Sequence, residues 1–116
     1  MSTIFMTEQK LFGLFELDPT GTVIYSRIEG DGNRLETIPD FSGHNFYEEV
    51  APFSNVEEFR LRVHQFTRGA TAADNFNFDC RYGDEVTPVR VLLARIRERS
   101  SSECTKSVLV HIRKGL

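Results

Sequence analysis

Polar and apolar residues alternate most cleanly over residues 75 to 82, where Phe76, Phe78, Cys80 and Tyr82 interleave with Asn75, Asn77, Asp79 and Arg81. That period of two predicts a half-buried β-strand with its aromatic side facing inward. Two more strand patterns follow. TPVRVLLARIRER is apolar on both faces in its middle, and after an SSSE turn KSVLVHIRK alternates again, with Val108, Val110 and Ile112 on one side. Near the start, LFGLFEL and TVIYS flank DPTG. There Pro19 presets the φ of a turn and Gly21 supplies the positive φ that closes a β-hairpin.

Between these strand groups the period changes. Val56, Phe59, Val63 and Phe66 recur at helical spacing and predict a buried stripe along VEEFRLRVHQFTR. Ser54 or Asn55 is placed to cap this helix, Glu57 and Glu58 suit its positive end, and Arg68 with Gly69 suits its other end. Residues 27 to 42 are polar and aperiodic, so a loop or short irregular helical turns are expected there. Two strands, a helical block and three strands give an α+β fold. The expected architecture is a five-stranded antiparallel sheet with one main helix and short helical turns on one face.

A chain of 116 residues with 40% apolar residues can bury one core without staples, so a single domain is expected. No apolar run approaches the ~20 residues of a membrane span, and MSTIFMTEQK lacks the pattern of a secretory signal, so a cytoplasmic protein without membrane contact is expected. The two cysteines, Cys80 and Cys104, then read as free thiols rather than a disulfide. Neither they nor the scattered His44, His64 and His111 show metal-ligand spacing, so no metal is expected. No nucleophile and base are paired, GxGxxG is absent, and GDGN at residues 30 to 33 reads as a turn. Glu48, Glu49, Glu57 and Glu58 fall in helix starts, where the dipole accounts for them. Catalysis is not expected.

Charge divides the chain. Residues 1 to 85 carry 7 basic and 15 acidic side chains, a net of −8, and residues 86 to 116 carry 7 basic and 2 acidic, a net of +5. These are either solvated sides of different elements or a self-complementary surface that orients two copies or a partner. The basic strip lacks interleaved aromatics in a chain that is acidic as a whole, which argues against nucleic acid.

The order of elements resembles that of PAS domains, and four stretches strengthen the likeness. FGLFELDPTGTVIY is similar to the family's opening hairpin, GHNFYEEVAP to the GxNF…VAP stretch of its photoactive yellow protein branch, and TPVRVLL and SVLVHIRK to its last two strands. The resemblance spans residues 11 to 114, which leaves residues 1 to 10 as an N-terminal arm. In light-sensing members the residue after that Ala-Pro is a cysteine whose thiolate carries a cinnamoyl-type chromophore. Here it is Phe53, which has no nucleophile. Cys80 and Cys104 lie far from that motif and do not replace it. The tyrosine and glutamate that hold the chromophore fall on Ser26 and Gly30, with Tyr25 and Glu29 one position short, and the threonine and arginine positions hold Arg34 and Glu36.

The resemblance therefore implies a sensory or regulatory module that acts in signal transduction through protein contacts, with no cofactor and no covalent chromophore. Its partner is expected to be a second copy or a signalling protein, a kinase or regulator, in the same chain or in trans. Leu92 and Ala94, with Leu109, are expected to form an apolar interaction strip on the outer side of the sheet, which Ile4, Phe5 and Met6 cover within the chain or across a dimer. Phe46, Phe53, Phe59, Phe76 and Phe78 either line a pocket for an apolar or aromatic ligand or fill one another's space. Tyr47 and Tyr82 are its candidate polar handles. No histidine or cysteine motif for haem or flavin is visible.

Overall fold

The structure is a computed structural model, and it describes residues 11–29, 41–97 and 105–115. Strands β1 (Gly13–Leu17) and β2 (Val23–Ile28) form the opening hairpin, and helix α1 spans Val56–Arg68. Strands β3 (Ala73–Tyr82), β4 (Glu85–Arg97) and β5 (Thr105–Lys114) follow. A single π-helical turn, Phe46–Val50, precedes α1. The five strands make one sheet in the order β2-β1-β5-β4-β3, with each neighbouring pair antiparallel. This is the α+β architecture that the hydrophobic pattern predicts.

The register explains which apolar residues are buried. Phe15 lies opposite Val110 and Val110 opposite Leu93, while Ile112 lies opposite Val91 and Val91 opposite Phe76. These rows share the inner face, where α1 inserts Phe59, Val63 and Phe66. A slip of one residue in any strand would turn its apolar set to the other side. Pro88 is tolerated within β4 because its nitrogen faces β5 just past that strand's end, where Gly115 N–H reaches the Pro88 carbonyl at 3.0 Å.

Three local expectations are corrected. Asn55 occupies the N-cap position of α1 but makes no capping bond, because its side chain is spent on β3. Its Oδ1 accepts from Arg81 N–H at 3.0 Å and its Nδ2 donates to the Asp79 carbonyl at 2.9 Å. At the other end Gly69 is extended (φ −90°) rather than left-handed. The last carbonyls of α1 instead meet Arg95, which donates to Phe66 O at 2.6 Å, Thr67 O at 3.2 Å and Gly69 O at 3.2 Å. Its guanidinium also lies 4.7 Å from the Phe66 ring centroid, so one cation from β4 closes the helix where glycine was expected to. Finally, β2 continues through Arg27 and Ile28, residues expected to begin a loop.

Among the described residues no helix is long and apolar enough to cross a membrane.

Candidate functional site

The site begins at the hairpin turn. Asp18 Oδ1 accepts from Thr20 Oγ1 at 2.6 Å, Thr20 N–H at 2.9 Å and Thr22 N–H at 3.0 Å. Burial pushes the Asp18 pKa up, but the hydrogen bonds from Thr20, Thr22 and Gly21 outweigh it and leave the pKa below its ordinary value. Gly21 has φ 93°, and a Cβ there would sit 2.8 Å from the Tyr47 ring, so both backbone and space require glycine.

The GHNF segment is stitched to this turn. Val23 N–H donates to the His44 carbonyl at 2.9 Å, Phe46 N–H to the Gly21 carbonyl at 2.8 Å, and Asn45 Nδ2 to the Thr20 carbonyl at 3.2 Å. Asn45 Oδ1 then accepts from Tyr47 N–H at 3.0 Å and Glu48 N–H at 3.1 Å. This cap turns the chain so that Phe46 points inward and Tyr47 covers Gly21. Burial raises the Tyr47 pKa to about 12, against a lowering by the Arg60 guanidinium, which lies 5.0 Å from its ring centroid.

Phe46, Phe53, Phe59, Phe76 and Phe78 come together between α1 and β3. Phe59, fully buried, is the hub, with ring centroids 5.3 Å from Phe78, 5.6 Å from Phe53, 5.9 Å from Phe46 and 6.4 Å from Phe76. These are contact distances for tilted and edge-to-face rings. Phe53 is only 2% exposed and also meets Phe78 at 6.0 Å and Tyr82 at 6.3 Å. Burying it contributes about 1.5–3 kcal/mol by area. Beside it, burial raises the Cys80 thiol to about 12, so it stays protonated and behaves as a small apolar group. Tyr82 is likewise raised to about 12, first by burial, and its hydroxyl accepts from Leu11 N–H at 3.4 Å.

A cavity of about 110 Å³ lies at the opposite end of α1, lined by the apolar Leu17, Val63 and Val108, by Gly21 and Tyr47, and by the polar residues Asp18, His64, Thr67 and Ser107. Sequence reasoning missed it. No local signal marks it, since Leu17, Val63 and Val108 come from three separate elements.

On the outer face Ala94 and Leu109 are directly opposite, and both are half-buried. Leu92, 42% exposed, lies one row away, opposite His111. Polar groups cross this strip: Glu16, opposite Leu109, accepts from Ser107 Oγ at 2.6 Å, and His111 Nε2 lies 3.2 Å from Glu29 Oε2. Tyr25, opposite Glu16, is on the outer face and 46% exposed, while Ser26 lies opposite the fully buried Phe15. Ile4, Phe5, Met6, Gly30, Arg34, Glu36 and Cys104 fall outside the described residues.

No family model matches the chain. Curated relatives do. The chain is 31% identical over 85 residues to the photoactive yellow protein of Rhodothalassium salexigens, covering 72% of this chain and 67% of that one. It is 32% identical over 97 residues to that of Cereibacter sphaeroides, covering 80% of this chain and 73% of the relative. The chain belongs to the photoactive yellow protein family. The photoactive yellow protein of Halochromatium salexigens is similar too, with 29% identity over 83 residues, 72% of this chain and 66% of that one. The sheet and its helices are thus a PAS fold, as the GHNF segment and the hairpin had implied.

Proposed function

We propose that this member of the photoactive yellow protein family is a sensory or regulatory PAS module that signals through protein contacts and carries no covalent pigment. The observation that carries this reading is Phe53. At the position where the family resemblance places an acylated thiol, a benzyl side chain is buried and held by Phe59, Phe78 and Tyr82. Tyr25 supports it, since it faces away from the ring cluster and cannot hold a pigment there. Cys80 supports it too, because a buried thiol titrating at about 12 supplies almost no thiolate to attack an ester. The outward contacts fall to the strip of Leu92, Ala94 and Leu109, facing a second copy or a kinase or regulator.

The test is acylation. Incubated with an activated cinnamoyl ester, the wild-type protein should show no visible absorbance and no mass increase on any peptide containing residue 53 or 80. Phe53→Cys should gain an adduct on the peptide spanning the substitution. A pigment-sized mass increase on the wild-type core ends the proposal.

A second reading, a sensor for a small ligand, draws on the cavity beside the hairpin. Its volume of about 110 Å³ is smaller than the ~150 Å³ void that accepts benzene. Native mass spectra of freshly purified protein would reveal an occupant of a few heavy atoms.

A further inference from the structure

The two edges of the sheet differ. The edge of β2 is covered where Val23 exchanges hydrogen bonds with Gly43 and His44. Among the described residues the edge of β3 is covered only at its far end. There Asn55 and Ser54 take the outward groups of Asp79 and Arg81, with Ser54 N–H donating to Arg81 O at 2.9 Å. Backbone groups point to alternate sides along a strand. The outward set is therefore the odd-numbered one, which also includes Ala73, Asn75 and Asn77. The inward set agrees, since Ala72 O accepts from Arg95 N–H at 2.9 Å and a two-residue turn joins Tyr82 to Glu85. Ala73, Asn75 and Asn77 are exposed, and among the described residues no hydrogen bond reaches their edge-facing groups.

Two charges flank this free stretch. The Arg62 guanidinium on α1 lies 3.8 Å from the Phe76 ring centroid, and among the described residues it has no carboxylate partner. Asp74, exposed and two residues before Phe76, has no cationic partner among them either.

We propose that the β3 edge is an interaction surface for a second copy of this chain, paired antiparallel about a two-fold axis at Asn75. In that register Ala73 meets Asn77 of the second copy, and Phe76 meets its Asp74. Directly opposite residues hold their Cβ atoms about 4.5–5.5 Å apart. Asp74 of the second copy thus reaches the guanidinium that lies over Phe76, and the symmetry repeats the ion pair. The register uses residues 73 to 77 and stops short of the stretch that Asn55 occupies. An edge bearing Asp and Asn suits indiscriminate pairing poorly, so the charges select the register. The result is one continuous sheet of two copies, a different surface from the outer face. The proposal goes beyond the pigment-free reading: a pigment adduct would end that reading and leave this one intact.

Sedimentation velocity of the full chain over a wide concentration range is expected to show a monomer–dimer equilibrium that weakens at high salt. Arg62→Asp and Asp74→Arg are each expected to raise the dissociation constant by about tenfold or more, and the double variant to recover most of that loss. Asn75→Pro removes a donor that the fold does not use, so it should keep the wild-type circular dichroism and abolish the dimer. In the wild type, hydrogen exchange at the amides of Asn75 and Asn77 should slow as the dimer fills. A monomer at every concentration overturns the proposal. So does a dimer that survives Asn75→Pro and is lost in Leu92→Glu, or a dimer whose Asn75 and Asn77 amides exchange as fast as the monomer's.

Discussion

The two ends of α1 are packed in opposite ways. Toward β3, Phe59 is surrounded by four phenyl rings at contact distance. Toward the hairpin turn, one turn later along the same helix stripe, Val63 borders a cavity of about 110 Å³ that Asp18, His64 and Thr67 also line. The helix is continuous through both, so the difference comes from side-chain volume rather than backbone. Aromatic residues close the end where the family resemblance places a chromophore. Val63 and Val108, short β-branched residues, leave space at the hairpin end. A cavity of this size has room for several water molecules, whereas the rings around Phe59 lie at contact distance from it. The ring end is therefore where stability is concentrated, and the hairpin end is where the protein can yield.

The contrast predicts unequal responses to substitution. The largest effect should come from Phe59→Ala, which removes the hub of the ring cluster. Lost transfer energy and the void left among rigid rings together cost about 3–5 kcal/mol. Urea denaturation followed by circular dichroism measures it. A loss under about 1.5 kcal/mol would mean that the rings collapse into the gap, and the ring end would then be as yielding as the hairpin end.

Gly21→Ala should come next, at about 2 kcal/mol, and through a different cause. A φ of 93° strains any L-residue, and the added Cβ meets the edge of the Tyr47 ring at 2.8 Å. Because Tyr47 borders the cavity, its ring has somewhere to go. If it swings inward, the steric part of the cost disappears and only backbone strain of about 1 kcal/mol remains. Equilibrium unfolding combined with the near-ultraviolet signal of the tyrosines separates the two outcomes.

What the sequence disclosed follows the same division. Periodicity marks where elements lie and which face is buried, so the five strands and the helix stripe of Val56, Phe59, Val63 and Phe66 were legible, while the placing of Phe53 beside Phe59 and Phe78 rested on the family resemblance. Whether facing side chains fill the space between them depends on pairings across the chain. Val63, Leu17 and Val108 come from three elements, and nothing local to any of them signals a shared void. The caps were hidden for the same reason. Asn55 has the composition of a helix cap, yet β3 presents an unmet carbonyl and N–H at the right distance, and a bond to each outcompetes one bond to the helix. Arg95 is 28 positions from Thr67 and 29 from Phe66, and only the register of β4 brings it beneath the last turn of α1.

The smallest expected effect is also the most direct probe of the cavity end. Val108 is 5% exposed and lines the cavity, so Val108→Ile adds one methylene where there is space for it. Filling a void recovers up to about 0.8 kcal/mol per buried methylene, so a gain of about 0.5–0.8 kcal/mol is expected. The control is Cys80→Met, between Phe78 and Tyr82 on β3 and 1% exposed, where added volume should cost about 1–3 kcal/mol. Opposite signs for two enlargements in one small core would establish that the packing difference is real in solution. If Val108→Ile also destabilises, ordered water occupies the cavity beside Asp18 and Thr67, and the space belongs to a hydrated polar site rather than to slack packing.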